Sequence, residues 1–181
     1  YTWQAYADSI AAHHRWHPFS YLNNSYHRDA DMDNMIDCAT TLLLSPGVAQ
    51  IFYGDESGRE LSDARLNVDS DQAFHSDMNW NKINGKQLAH FQKLGNIRRS
   101  NPVIGAGRQR TLDVHTCIRY NDQDTVLIKL KPYVGEAITT KGIFRDGTQV
   151  IELYTGQISK VNKGMVLFPK YENNLAIIKE L

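Results

Sequence analysis

The sequence predicts an α/β segment over residues 1–104 followed by an all-β domain over residues 105–181. Three observations predict it. Met32, Met35, Ile36, Ala39, Leu42 and Leu43 recur at spacings of three and four, which lines one face of a helix. The run from Val48 to Tyr53 is nearly continuously apolar, as a parallel strand covered on both faces requires. After Gly107 the period changes to short runs rich in β-branched and aromatic residues, separated by turn residues.

Taken in order, residues 1–14 read as a helix that Pro18 terminates, and residues 19–22 as a short strand. Asp29, Asp31 and Asp33 place acids at the start of the next helix, where the dipole favours negative charge. Pro46 and Gly47 break that helix ahead of the apolar strand. Gly54 then opens a loop that presents Asp55 and Glu56. Residues 57–72 are polar and read as a long surface loop over the mouth of the α/β part. Asn84 is placed to cap a further helix, with Leu88, Phe91, Leu94 and Ile97 on its inner face and Asn101-Pro102 as its stop. Strands are expected over 111–120, 125–131, 137–144, 149–154, 157–161, 165–168 and 175–179, with turns at Asn121-Asp122, Asp146-Gly147, Thr155-Gly156, Asn162 to Gly164 and Asn173-Asn174. Many short strands at this spacing predict an antiparallel sandwich.

Composition narrows the function classes. Lys plus Arg and Asp plus Glu both total 20, so the formal net charge is zero and nothing favours a nucleic-acid or anionic-membrane partner. No apolar run approaches the roughly 20 residues that span a bilayer. Cys38 and Cys117 fall in different predicted segments and read as buried free thiols rather than a disulfide. A complete β/α barrel takes roughly 250 residues. The α/β part here has room for two or three strand-helix units, and the chain begins at Tyr1, so a C-terminal fragment is expected: the last part of a TIM-type barrel, then a small β domain.

Three stretches carry a family resemblance. SPGVAQIFYGDE at residues 45–56, SDMNW at 76–80 and LAHFQKLGNIRRSNPVIGAG at 88–107 resemble, in this order, the eighth barrel strand, the loop before the last barrel helix, and that helix with its exit to the terminal sandwich of α-amylase-family glycoside hydrolases. The wording is most similar to periplasmic bacterial members. The resemblance implies retaining hydrolysis of α-glucosidic bonds by two carboxylates, an α-glucan or maltooligosaccharide as partner, and a periplasmic or extracellular location. It also implies that the nucleophile and the acid belong to middle barrel strands outside this chain, so the segment alone is expected to be inactive. Calcium is possible in full-length members, and no cofactor is expected in this segment.

The family's third acid follows the seventh strand as a His-Asp pair. The matching stretch here is SYLNNSYHR at residues 20–28, which puts Ser25 and Tyr26 where His and Asp are expected. Arg28 fits the arginine that follows. Tyr26 cannot replace an ionised carboxylate near neutral pH; Asp29 supplies one only if the loop is shifted. A non-catalytic amylase-like protein that binds carbohydrate or a partner is therefore the alternative reading.

Other candidates rest on residue type and position. Trp80, flanked by Asp77 and Asn79, reads either as a sugar-stacking platform at the cleft rim or as a ring packed beneath its loop. Asp55 and Glu56 either bind sugar hydroxyls or pair with Arg59 or Arg65, with Glu56 leaning to the structural role. Arg28, Asp55 and Trp80 are the substrate-binding candidates. His13, His14 and His17 contain a helical metal spacing but no third ligand. Asp29, Asp31 and Asp33 imitate a calcium loop, yet Asn34 replaces its glycine and Thr40 its glutamate, so no metal site is assigned. Asn23-Asn24-Ser25 is a formal glycosylation triplet. An incomplete barrel leaves a strand edge open, which makes self-association through that edge an expectation.

Overall fold

The computed structural model describes Phe19–Tyr21, residues 34–59 and residues 77–181. Strand β1 (Phe19–Tyr21) pairs in parallel with β2 (Val48–Gln50), with Phe19 opposite Val48 and Tyr21 opposite Gln50. Parallel neighbours need a crossover, and helix α1 (Asn34–Leu44) lies on that connection. This is a β/α/β unit, as the α/β reading requires. Met35, Ala39, Leu42 and Leu43 of α1 are buried, which is the face that the three-four spacing marks. The helix stops ahead of Pro46, and Gly47 takes a φ of +91°.

The apolar run after Gly47 needs a correction. Strand β2 ends at Gln50, and Val48, Ile51 and Tyr53 are 44, 40 and 40% exposed rather than covered on both faces. The cause is local. The amide of Asp55 donates to the carbonyl of Phe52 at 3.1 Å, and the Arg59 guanidinium sits 4.2 Å from the centre of the Tyr53 ring. These contacts bend the chain into a turn before the apolar run is finished.

Helix α2 (Gly85–Ser100) begins where Asn84 caps it, its side-chain oxygen accepting from the Gln87 amide at 3.1 Å. Its buried face holds Phe91, Leu94 and Ile97 as expected, but Gln87 and His90 in addition, while Leu88 is only half-buried. At the far end Asn101 donates to the Ile97 carbonyl from both its backbone N–H and its side chain. A short helix, α3 (Val103–Ala106), follows where the sequence showed only a boundary.

The rest is β. Strands β3 (Arg108–Asp113), β4 (Thr116–Tyr120), β5 (Thr125–Leu130), β7 (Gln149–Glu152), β8 (Gln157–Lys160) and β10 (Leu175–Glu180) form one antiparallel sheet in the order β3-β4-β5-β10-β7-β8. Strands β6 (Ala137–Thr139) and β9 (Met165–Leu167) form a second, two-stranded sheet. No helix interrupts residues 108–180, which agrees with the antiparallel sandwich expected.

Two expected strands are shorter than their sequence runs. Residues 111–120 contain a hairpin, because the Asp113 carboxylate accepts from the His115 amide at 2.7 Å and turns the chain at Val114. Residues 140–144 leave β6 in a turn, where the amides of Ile143 and Phe144 both donate to the Thr140 carbonyl and Phe144 is tucked inward.

The large sheet is buried on both faces. Cys117, Val126, Ile128, Leu175 and Ile177 face one way and share a core with Ala39, Leu43, Phe91, Leu94, Ile97 and Ile104 from the helices. Ile118, Leu127, Ala176 and Ile178 face the other way and pack with Ile138, Val166 and Phe168. The expected boundary at residues 104 and 105 falls within α3, and one apolar core runs across it.

Candidate functional site

The YGDESGR stretch at residues 53–59 is a compact turn. Gly54 has a φ of +90°, and a Cβ there would collide with the Arg59 side chain, so only glycine fits. The Arg59 amide donates to the Gly54 carbonyl at 2.9 Å, and its side-chain Nε donates to the Tyr53 carbonyl at 3.2 Å. Glu56 folds back, its carboxylate accepting from the Gly54 amide at 3.0 Å. This is a structural role, though through the Gly54 amide rather than the expected pairing with Arg59 or Arg65.

Asp55 is fully buried, and its carbonyl accepts from the side-chain amide of Gln87 on α2. The turn is thereby fastened to the helix behind it. Asp55 sits inside this turn rather than on its solvent side.

A second loop is tied to the first. Asn79 accepts at Oδ1 from the Ser57 hydroxyl, 2.6 Å away, and donates from Nδ2 to the carbonyls of Ser57 and Lys82 at 3.0 and 2.9 Å. The Asn84 amide also donates to the Ser57 carbonyl, at 2.8 Å. These bonds hold residues 77–84 in one shape and leave Trp80 at its crest, 72% exposed. Trp80 does not pack beneath its loop. The indole stands exposed on a braced loop, with Asp77 exposed beside it.

Of the sequence candidates, the structure brings Asp55, Glu56 and Arg59 together in one turn and joins Trp80 to that turn through Asn79. Tyr26, Arg28, Asp29, Asp31, Asp33, Arg65, the histidines 13, 14 and 17 and the 23–25 triplet lie outside the described residues. Among the described residues no group of three or more His, Cys, Asp or Glu is placed to hold a metal ion. Cys38 and Cys117 are free thiols, and burial pushes Cys117 up to about 12. A groove lined by Pro102, Asn121, Asp124, Phe144 and Lys179 lies elsewhere, and no sequence-predicted site residue lines it. Its Lys179 ammonium is engaged by Asp124 at 2.6 Å and Asn101 at 3.3 Å.

Sequence reasoning missed the buried polar residues that support these loops. Gln87 and His90 lie on the buried side of α2 among Phe91, Leu94 and Ile97, and the half-buried Arg98 follows them. Polar residues in register with an apolar stripe are the signal that would have found them. Arg98 donates to the carbonyls of Leu43, Ser45 and Gly47, closing the C-terminal end of α1.

No family model matches the chain. The periplasmic alpha-amylase of Escherichia coli (strain K12) is 37% identical over 133 residues, a match that covers 70% of this chain and 19% of that protein. The chain resembles the C-terminal part of an α-amylase-family protein. Solved structures agree in fold. The alpha-amylase from Geobacillus thermoleovorans, complexed with acarbose, superposes with a TM-score of 0.70 at 13% identity, over 96% of this chain and 42% of that one. AmyP in complex with maltose gives 0.67 at 16% identity, over 95% of this chain and 43% of that one. The α-amylase-like chain therefore spans well under half the length of these relatives, with the end of a β/α barrel and a terminal β-sandwich as its share of the fold.

Proposed function

We propose that the chain serves an α-amylase-like glycoside hydrolase acting on α-glucans or maltooligosaccharides, in which it contributes cleft-rim loops and the terminal β domain. The single observation that carries this is the 37% identity to a periplasmic alpha-amylase. In this reading the nucleophile and general acid, which glycosidases hold on opposite sides of the scissile bond, come from barrel strands outside the chain. Trp80 stacks on a sugar ring, Arg28 binds substrate, and Asp55 shapes the turn beneath the rim. A periplasmic location follows the same relative. Association through the free edge of the β1-β2 pair belongs to this reading as well.

A second reading, a non-catalytic carbohydrate-binding or interaction protein, is favoured by one observation. Tyr26 stands where the family's transition-state aspartate is expected.

Electrophoresis of the chain through gels containing soluble starch tests the binding that both carbohydrate readings share. Retardation that Trp80→Ala abolishes is expected, and migration unaffected by starch overturns the rim role. Reducing-sugar assays on maltooligosaccharides are expected to show no turnover by the chain alone. Reproducible turnover would place the nucleophile and acid within these 181 residues.

A further inference from the structure

His90 is the one histidine enclosed among the described residues, 1% exposed, and it touches three elements at once. Its Nε2 lies 3.2 Å from the Ile36 carbonyl and 3.0 Å from Thr40 Oγ1, both on α1. Its Nδ1 lies 2.7 Å from the hydroxyl of Tyr154, in the turn after β7. The side-chain amide of Asn173, in the turn before β10, is 3.0 Å from the same Nδ1 and 2.7 Å from the Tyr154 oxygen.

These partners fix the tautomer. The Ile36 carbonyl can only accept, and the Thr40 hydroxyl already donates to it at 2.9 Å, so Nε2 carries the proton. Nδ1 is then an acceptor. Tyr154 donates to it, and Asn173 donates to Tyr154. The chain of donors runs one way, from the β domain through His90 into α1.

A second proton enters only by reversing these bonds, with the Tyr154 oxygen accepting from Nδ1 instead of donating to it. On Nδ1 it would face the Asn173 amide donor and force the Tyr154 hydroxyl to turn away. We propose that His90 is an acid-released latch: neutral, it holds α1 and α2 on the β domain; protonated, it loosens that junction.

The charges around it are few. On α2 the Lys93 ammonium lies 4.4 Å from the centre of the Tyr154 ring and opposes a second cation. Burial holds the imidazole below its ordinary value of 6.5, outweighing the Ile36 carbonyl and Asp37 on α1, which both favour the cation. On the β side Glu152 is engaged by the amides of Tyr154, Thr155 and Ile177, and Glu172 pairs with Lys170 at 2.6 Å. No carboxylate stands among the contacts of Nδ1.

The sign follows from linkage. The unfolded chain binds the proton at higher pH than the folded chain, so the junction is intact above the unfolded value. Stability is lost as pH falls from there through the folded one, by up to about tenfold in the unfolding constant per pH unit between the two.

The test is a titration of the chain by two-dimensional NMR of the histidine ring protons, with urea midpoints at each pH. The expected result is a His90 ring that titrates below 6.5, with α2 amides losing exchange protection over the same range. His90→Gln, which keeps one donor and one acceptor, is expected to remove that part of the acid sensitivity. Asn173→Asp puts a carboxylate beside Nδ1 and is expected to raise the His90 titration and weaken the acid effect. A His90 ring titrating at or above the ordinary value overturns the proposal. So does an unchanged pH profile in a folded His90→Gln. If that variant does not fold, the wild-type titration and Asn173→Asp decide.

Discussion

The two faces of the large sheet are built from alternate residues of the same strands, yet they differ in chemistry. The face toward β6 and β9 is dry: Ile118, Leu127, Ala176, Ile178 and Phe168 interlock without a charged group among them. The face toward the helices carries Arg119, fully buried beside Cys117, and the His90–Tyr154 pair. The difference follows from what each face meets. A sheet directs its backbone groups within its own plane and turns only side chains toward the facing sheet, whereas every helix end points carbonyls with no partner in the helix at what it packs against. Arg119 answers that need at α3, donating to the carbonyls of Ile104 at 2.8 Å and Gly107 at 2.6 Å, and to the side-chain oxygen of Gln109 at 3.2 Å. Burial and the nearby Arg98 bring its guanidinium down to about 10, so it remains charged at neutral pH.

The comparison breaks most sharply through substitutions on either face. On the dry side Phe168→Ala is expected to cost about 3–5 kcal/mol in urea unfolding, because it leaves a cavity in the apolar cluster and removes the edge contact with Tyr171. On the helix side Arg119→Met keeps most of the volume but strands buried carbonyls at about 1–3 kcal/mol each, so a loss of about 2–4 kcal/mol is expected. A loss below about 0.5 kcal/mol, the range of an inert surface change, would mean that water serves those carbonyls as well as the guanidinium does.

Gly107→Ala probes the same junction by shape. A Cβ there would lie 2.6 Å from the Val103 carbonyl and 2.8 Å from that of Tyr120, both backbone. A drop of about 1–3 kcal/mol is expected from such overpacking, with the dry core's exchange protection unchanged.

Alkaline pH gives a smaller contrast. The Cys117 thiol is held near 12 against 9.0 in an open chain, so the folded protein keeps a proton that the unfolded one releases. Its contribution is complete below pH 9 and falls as pH rises from there toward 12, by at most about 1.4 kcal/mol per unit. Cys117→Ala should flatten that decline, and a decline of the same slope in the variant would assign it to other groups. The smallest effect is expected at the rim. Trp80→Ala should move stability by less than about 0.5 kcal/mol while abolishing retention in starch gels. A large loss of stability would show that the indole is a packing residue after all.

Much of this was legible in the residues. The helical faces of α1 and α2, the Asn84 cap and the turn at Gly54 follow from spacing and from glycine's freedom at positive φ. The hairpin at Val114 was overlooked, because a single Asp113 side chain makes the turn inside a run that is otherwise strand-like. The apolar run at residues 48–53 misled for the opposite reason. Its composition is that of a buried strand, but among the described residues β2 has only β1 beside it and the chain turns after Gln50.

The sequence by itself determined the order of helices and strands, the change of period after Gly107 and the resemblance to α-amylases, since each is written in local spacing or in contiguous motifs. Tertiary structure alone decided that β10, the last strand, lies in the middle of the sheet between β5 and β7. It also decided that His90 meets Thr40, Tyr154 and Asn173, and that Arg119 meets the end of α3. The physical reason is the same in each case. Periodicity tells a side chain which face to take, but a buried polar group is stable only beside its partner, and these partners come from distant parts of the chain.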